Sequence, residues 1–275
     1  MDFATAIVPL HRIIAPGSCG RPRKDPDQSS PSLSCDLQAS NFMSLISKQL
    51  RSFLRKPSAS EDFSSDGSNP IDLAFSLVDR SPMKILQIGA SDGGLNDPIA
   101  HYLNQNQHDA ILVEPLPESF KTLQKRYEAC SRVKCLNVAI GNQSGEQTLY
   151  TISKDCPYEA KQLSSFSKEH LRKNGVKERH IRAITVPTFS LPDLVESENF
   201  QSIDLLQVDT EGFDAEIVEM ALKLASPPRW INFEHLHIPK PRRVRLCALL
   251  KKAGYRWIHS SWDTFAWSDS PEMRT

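Results

Sequence analysis

The sequence predicts an α/β fold in which helices cover both faces of a mostly parallel sheet. Short runs that are apolar nearly throughout alternate with helical patterns, as expected when parallel strands are buried on both sides. The first run enters a glycine-rich turn that opens a helix. Polar residues follow several of these runs directly, at the positions where such sheets bind their ligands.

The predicted elements alternate along the chain as a doubly wound sheet requires. The strands are Ile85–Ile88, Ile111–Glu114, Val133–Val138, Leu205–Asp209, Trp230–Phe233, Tyr255–His259 and Thr264–Trp267. The helices are Ile71–Val78, Leu95–Asn104, Ser119–Cys130, Phe213–Leu224 and Val244–Ala253. Pro115, Pro117 and Gly254 mark element ends, because proline and glycine interrupt regular structure.

The chain before this pattern has a different composition. Its first 40 residues are rich in Pro, Gly, Ser and charged residues after position 15, so we predict that residues 1–40 are disordered. We predict an amphipathic helix and a linker over 41–70, and one folded domain over 71–275. Because Met43 follows, residues 1–42 are alternatively an extension upstream of the native start.

Charge and cysteine content exclude several classes of protein. Lys plus Arg and Asp plus Glu both number 33, so no net field recruits nucleic acid. The six cysteines form no C-x-x-C pair and no zinc-like spacing, so we predict reduced thiols, no metal site and a cytoplasmic protein. No apolar run approaches the roughly 18 residues that span a bilayer. The oligomeric state stays open.

A nucleotide site is predicted by the turn Gly89-Ala-Ser-Asp-Gly-Gly94 and by Glu114, 20 residues after Gly94. Glycines let the backbone approach a ligand, and an ionised Glu114 can accept hydrogen bonds from both ribose hydroxyls. A dinucleotide fingerprint would have glycine in place of Ser91. Asp92 would repel phosphates, so the turn favours S-adenosylmethionine, which carries a cationic ammonium and sulfonium beside its ribose. An ordinary strand-turn-helix is the alternative.

Seven segments resemble, in order, the motifs of FkbM-type methyltransferases. They are Val113–Pro115, Asn137–Gly141, Gly145–Tyr150, Ser164–Ser165, Val186–Leu191, Ile203–Gly212 and Trp230–His235. The resemblance implies a class I methyltransferase fold, a Rossmann-like seven-stranded sheet with an antiparallel C-terminal strand. It also implies S-adenosylmethionine as methyl donor and a hydroxyl acceptor on a sugar, glycan or related secondary metabolite. Family members commonly carry a carboxylate where this chain has Gln87, so Asp92 is expected to hold the cofactor's ammonium.

The candidate site residues all stand at or just after the carboxyl ends of predicted strands. Those assigned to the cofactor are Gly89, Ala90, Ser91, Asp92, Gly93, Glu114, Pro115, Asn137, Val138 and Asp209. Those assigned to catalysis are Asp209, Glu211, Glu234 and His235. Either His235 or Glu234 is expected to accept the acceptor's proton.

Several of these assignments have alternatives. His237, expected on the same strand face as His235, is a second candidate base. Asn137 either bonds an adenine edge or fixes the loop that does, and Asp209 alternatively caps the following helix. Residues 152–183 form either a surface loop or a cationic lid over the acceptor. A non-catalytic S-adenosylmethionine-binding module and an NAD-dependent oxidoreductase remain the alternative functions.

Overall fold

The computed structural model describes residues 71–72, 75, 82–94, 97–105, 107–156 and 163–268. The predicted disordered segment 1–40 and the predicted helix and linker 41–70 lie outside these residues. Of the predicted helix Ile71–Val78, residues 71, 72 and 75 are described and are helical. Among the described residues, no helix is long and apolar enough to cross a membrane.

The described chain alternates strands and helices from Lys84 to Ser268. The strands are β1 (Lys84–Ile88), β2 (Asp109–Val113), β3 (Val133–Leu136), β4 (Ala139–Ile140), β5 (Gly145–Ile152), β6 (Ser164–Ser165), β7 (Ile181–Phe189), β8 (Leu205–Val208), β9 (Trp230–Glu234), β10 (Tyr255–His259) and β11 (Asp263–Ser268). The helices are α1 (Ala100–Leu103), α2 (Pro117–Arg126), α3 (Lys168–Lys173), α4 (Leu191–Ser197), α5 (Asp214–Ala221) and α6 (Lys240–Lys252), with a 3-10 turn at Glu178–His180.

Seven strands form the main sheet in the order β10-β11-β9-β8-β1-β2-β3. The five strands from β9 to β3 are mutually parallel, whereas β11 runs antiparallel to both of its neighbours. This arrangement confirms the predicted α/β fold, a mostly parallel seven-stranded sheet completed by an antiparallel C-terminal strand. The carboxyl ends of β1, β2, β3, β8 and β9 therefore lie along one edge, where the candidate site residues were expected.

The central strands are buried on both faces, as their apolar sequences predict. Leu86, Leu206 and Ile231 belong to the core on one face of the sheet. The opposite face carries a row of three buried amides, Gln87, Gln207 and Asn232, which are partners in register on β1, β8 and β9. The Asn232 Nδ2 donates to Gln207 Oε1 at 3.0 Å. One face of the central sheet is therefore polar close to the carboxyl ends of its strands.

The first helix is shorter than the sequence pattern predicted. The prediction was Leu95–Asn104, but α1 begins at Ala100. Pro98 disfavours helical backbone at the residue before it, and Asp97 instead accepts a hydrogen bond from the Ile99 N–H at 2.9 Å. Asp97 is thereby free of the helix and stands beside the turn that follows β1.

A second sheet, which the sequence analysis did not predict, has the strand order β4-β7-β5-β6. Its long strands β5 and β7 pair antiparallel from Gly145 opposite Thr188 to Ile152 opposite Ile181. The segment 152–183, predicted as a surface loop or a lid, therefore holds β6, α3 and the start of β7. It has a small core of its own, made of Ile152, Cys156, Leu163, Leu171 and Val176.

Four cysteines lie within the described residues. Cys130, Cys135, Cys156 and Cys247 are free cysteines. The remaining two, at positions 19 and 35, lie outside the described residues.

Candidate active site

The turn after β1 lies directly against the end of β8. Gly89 has φ +82°, and a Cβ placed on it would lie 1.7 Å from the Asp209 carbonyl oxygen. The N–H groups of Gly89 and Ala90 both donate to the Val113 carbonyl of β2 at 3.0 Å. The glycine is therefore needed both for its positive φ and for this close approach.

Glu114 ties the turn after β1 to the loop after β2. Its Oε2 accepts the Ser91 N–H and its Oε1 accepts the Leu116 N–H, both at 2.8 Å. Burial raises the pKa of this carboxyl to about 7, although the two hydrogen bonds act in the opposite direction. Each carboxylate oxygen can accept a second hydrogen bond, so these contacts leave room for ribose hydroxyls.

Asn137 holds the same loop from the end of β3. Its side-chain Nδ2 donates to the carbonyl oxygens of Glu114 and Pro115, at 2.8 and 3.1 Å. These two contacts fix the loop after β2, and a hydrogen bond from Asn137 to adenine stays a prediction. The neighbouring Val138 packs against the main core. Pro115 and Glu114 border a small cavity of about 50 Å³ that Phe166 of the second sheet helps to enclose.

A larger cavity of about 510 Å³ adjoins the turn and is lined by Gln87, Ser91, Asp92, Asp97 and Asp209 among others. Three buried oxygen atoms of these residues, Gln87 Oε1, Ser91 Oγ and Asp97 Oδ2, have no hydrogen-bond partner within the part of the chain that the structure describes. Oxygen acceptors buried in this way are stabilised by a ligand that brings hydrogen-bond donors.

Asp97 is a cavity residue that the sequence analysis missed. Burial raises the pKa of its carboxyl. Asp92, which was expected to replace the missing carboxylate at Gln87, uses its Oδ1 to accept the Gly94 N–H at 2.9 Å. Two carboxylates, Asp92 and Asp97, therefore line the cavity beside Gln87. The sequence did contain a signal for Asp97. It precedes Pro98, and a residue before proline disfavours helical backbone, so Asp97 could have been expected outside the helix.

Carboxylates crowd together at the ends of β8 and β9. Burial, followed by Asp214 and Glu211, raises the pKa of Asp209 to about 7. Burial, followed by Asp209 and Glu211, raises the pKa of Glu234 to about 8. Three of the residues assigned to catalysis, Asp209, Glu211 and Glu234, are thus close enough to influence one another. Such crowding disfavours simultaneous ionisation and is typical of functional sites.

Asp214 shapes the loop between β8 and α5. It is fully buried, and its carboxylate accepts hydrogen bonds from the Thr210 N–H, the Thr210 hydroxyl and the Gly212 N–H. Helix α5 has no side-chain N-cap, so the alternative role of Asp209 as the cap of this helix is not observed. Asp214 therefore holds the loop, and Asp209 stays beside the cavity.

The two histidines after β9 have different surroundings. The His235 ring is buried, with Nδ1 3.0 Å from the Thr264 hydroxyl and the ring against His259. Burial, followed by Arg243, lowers the pKa of His235 to about 4.

His237 instead contacts the carboxylates, with Nε2 3.1 Å from Glu211 Oε2 and 3.7 Å from Glu234 Oε2. The expectation that His235 and His237 share a strand face was wrong, because β9 ends at Glu234 and the chain then turns. His237, rather than His235, thus joins Glu234 and Glu211.

Comparison with known proteins gives one family model and a set of solved structures. The model described as "Methyltransferase FkbM domain" matches residues 87–257. No curated protein sequence matches the chain.

Three of the similar solved structures have low sequence identity to this chain. The FkbM methyltransferase of Methylobacillus flagellatus KT is 15% identical, with 70% of this chain and 45% of that chain covered and a TM-score of 0.44. The METTL16 MTase domain is 14% identical, with 72% of this chain and 64% of that chain covered and a TM-score of 0.43. The fibrillarin pre-rRNA processing protein of Methanococcus jannaschii is 11% identical, with 69% of this chain and 68% of that chain covered and a TM-score of 0.38. The chain thus spans less than two thirds of the first two proteins.

Proposed function

The chain belongs to the FkbM methyltransferase family, and from this premise we propose that it transfers a methyl group from S-adenosylmethionine to a hydroxyl group. The acceptor is a sugar, a glycan or a related small molecule, and residues 71–275 are the methyltransferase domain. The observation that carries the proposal is the convergence, at one sheet edge, of the turn after β1, Glu114 and the carboxylates after β8 and β9.

The cavity beside the turn fits S-adenosylmethionine in size and in chemistry. Its volume of about 510 Å³ lies within the range of roughly 300–1,000 Å³ that small-molecule sites occupy. The unpartnered oxygens of Gln87, Ser91 and Asp97 match a ligand that ends in an ammonium group. Glu114 then holds the ribose, and the turn Gly89–Gly93 lets the backbone approach. This fit supports the cofactor that the family typically uses.

The residues after β8 and β9 supply the environment of the reaction. S-adenosylmethionine brings a methyl group on a positively charged sulfonium, which is already a reactive electrophile. Asp209 lines the cavity, and Glu211 lies close enough to influence its pKa. The protein then has to orient the acceptor hydroxyl and take its proton, and we place both tasks at the end of β9.

We assign proton acceptance to Glu234, with His235 as the second candidate. Glu234 Oε2 is buried and has no hydrogen-bond partner among the described residues, and Glu234 is electrostatically coupled to Asp209, which lines the cavity. His235 is held by Thr264 and His259 on the β10–β11 side. We propose a cytoplasmic location, which the four free thiols support.

The acceptor is identified by incubating the full chain with isotopically labelled S-adenosylmethionine and a metabolite extract. Mass spectrometry should detect label on a hydroxyl-bearing metabolite, and Glu234→Gln should abolish most of it. S-adenosylmethionine binding without any labelled product would favour the non-catalytic module. Quenching of tryptophan fluorescence by NADH, but not by S-adenosylmethionine, would favour the oxidoreductase.

A further inference from the structure

Three potential metal ligands converge from three separate parts of the fold. His170 lies on α3 of the segment 152–183, called the inserted segment below, Glu211 follows β8, and His237 follows β9. Each offers one ligand atom, and these atoms all lie within 4.8 Å of one another. The cysteine spacing predicted no metal site, and this cluster was not anticipated, because His170 and Glu211 are 41 positions apart and no motif connects them.

The local geometry brings the two imidazoles and the carboxylate face to face. The His237 Nε2 is 3.1 Å from Glu211 Oε2, and the His170 and His237 ring centroids are 5.1 Å apart. A Cβ at Gly212 would lie 3.0 Å from the Cε1 and 3.1 Å from the Nδ1 of His170. The absence of a side chain at position 212 thus gives the His170 ring its place beside Glu211.

Asn174 fixes the other side of the His170 ring. Its Nδ2 lies 3.0 Å from His170 Nε2 and donates to the His170 carbonyl oxygen at 3.0 Å. Asn174 therefore limits rotation of the His170 ring.

We propose that His170, Glu211 and His237 bind one divalent transition-metal ion of the zinc type. Two imidazoles and one carboxylate are a known ligand set for zinc, with one coordination position left open. Imidazole nitrogen disfavours Mg²⁺ and Ca²⁺, which prefer oxygen ligands. The three ligands also connect the inserted segment with the loops after β8 and β9, so metal binding would fix the second sheet over the candidate active site.

The role of the ion rests on the proposed function. Its open coordination position would take the acceptor oxygen, which places that oxygen near Glu234, whose Oε2 is 3.7 Å from the ligand nitrogen of His237. Coordination also makes a hydroxyl easier to deprotonate. The binding of the ion itself does not depend on methyl transfer.

The site is tested by titrating Zn²⁺ and Co²⁺ into the full chain after chelator treatment. Calorimetry with Zn²⁺ should show one ion per chain, and bound Co²⁺ should give the visible absorption of a low-coordinate site. His170→Ala, His237→Ala and Glu211→Gln should each weaken Zn²⁺ binding by at least about 10–100-fold, the loss typical even of residues that only support a ligand. His101→Ala, on the exposed side of α1, serves as the matched control and should bind like the parent.

The result separates the metal site from the proposed activity. Melting temperatures of the variants show that a loss of binding is not a loss of folding, and Glu211→Gln preserves the size of the side chain. No Zn²⁺ binding by the parent, or parental affinity in any of the three variants, would overturn the site. S-adenosylmethionine binding and methyl transfer are measured on the same preparations, so a failure of the proposed function is seen independently of metal binding.

Discussion

The two halves of the candidate site are held in opposite ways. On the cofactor side, formed by the turn Gly89–Gly94, Glu114 and Asn137, the polar groups that bind the loops are partnered by neighbouring backbone. On the acceptor side, formed by Asp209, Glu211, Glu234 and His237, burial and then the neighbouring carboxylates raise the pKa values of Asp209 and Glu234. The loops of the first half are held by hydrogen bonds, whereas the second half contains carboxyl groups whose ionisation is disfavoured.

This difference suggests that the first half binds the cofactor and that the second half carries out the reaction. A preformed loop binds its ligand with little reorganisation. Crowded buried carboxylates are unfavourable without a cation, and they persist where function requires them. The sulfonium of S-adenosylmethionine, and a metal at His170, Glu211 and His237, are two cations that would relieve this repulsion. We therefore expect changes on the acceptor side to affect turnover and changes on the cofactor side to affect affinity or folding.

Glu234→Gln should have the largest effect. Removal of a general base typically lowers the rate by about 10²–10⁴-fold. The substitution keeps the side-chain size and leaves the cofactor side untouched, so S-adenosylmethionine affinity should change little. Turnover and dissociation constant are measured with the same acceptor and cofactor preparation.

His235→Ala is the companion to this measurement. Because His235 is held by Thr264 and His259, its removal should disturb packing more than proton transfer. A hundredfold loss of turnover in His235→Ala at unchanged stability, with near-parental Glu234→Gln, would assign the base to His235. Parental turnover in both variants would show that this strand end has a structural role.

Gly89→Ala should be the most damaging change on the cofactor side. Gly89 combines φ +82° with a Cβ position 1.7 Å from the Asp209 carbonyl, so β1 and β8 would have to separate. We expect a loss of about 4 kcal/mol or more in the free energy of unfolding, as exceptional steric changes produce. Urea denaturation measures it.

Gly254→Ala is the matched control, because it measures the cost of the left-handed backbone conformation without a steric contact. Gly254 has φ +84°, but no described residue other than its chain neighbours lies within 4 Å of its Cβ position. The left-handed conformation alone costs about 1–2 kcal/mol for a residue with a side chain. Equal losses in the two variants would mean that the contact between the two loops contributes nothing beyond backbone strain.

Asp214→Ala should have an intermediate effect on stability. Asp214 holds the loop after β8, which carries Asp209 and Glu211. The substitution removes the acceptor for the N–H groups of Thr210 and Gly212, and unpaired buried donors typically cost about 1–3 kcal/mol each. Part of this cost is offset, because burial raises the pKa of Asp214 to about 6 and its charge is itself unfavourable. We expect a net loss of about 2–3 kcal/mol in the free energy of unfolding.

The control for Asp214→Ala is Asp193→Ala. Asp193 is exposed in the first turn of α4 and accepts the Ser144 hydroxyl. Surface changes of this kind usually stay within about 0.5 kcal/mol. If Asp214→Ala were equally mild, the loop after β8 would be fixed by other contacts, and Glu211 and His237 would keep their distance without it.

The sequence was sufficient for the features whose contacts are local or repeated. The buried parallel strands follow from apolar runs, and Gly89 and Glu114 lie in one strand-helix-strand unit. The seven-stranded sheet with its antiparallel end was implied by the family resemblance. The second sheet was missed because β5 and β7 face solvent in part and carry no continuous apolar run. Their pairing brings together residues as distant as Gly145 and Thr188.

The acceptor side was less predictable for a related reason. Its residues meet only through tertiary folding, and a turn after β9 decided that His237, not His235, contacts Glu234. His170 approaches Glu211 from the inserted segment, whose path no local pattern specifies. Asp97 was assigned to a helix that in fact begins later. Each of these positions depends on where an element ends, which is the least certain property of a sequence pattern.

Glu114→Gln should have the smallest effect, and it isolates the cofactor side by pH. The pKa of Glu114 is raised to about 7 by burial, with Asp92 nearby adding to the shift. Ribose hydroxyls donate to the ionised form, so S-adenosylmethionine affinity should be highest above that pKa and should fall about tenfold between pH 8 and pH 6. Gln cannot ionise, and loss of a hydrogen bond to a charged group, about 1.5–3 kcal/mol, should weaken binding at pH 8 by roughly tenfold or more.

The two proteins should therefore converge in affinity as the pH falls through 7. Asp209 and Glu234 titrate over the same interval but are common to both proteins, so the difference between the two affinity profiles reports Glu114 alone. Calorimetry at pH 6, 7 and 8 measures both profiles. A constant ratio of affinities across this range would mean that Glu114 acts only as the bridge between the Ser91 and Leu116 N–H groups, and the ribose would then have to be bound by another residue at this edge.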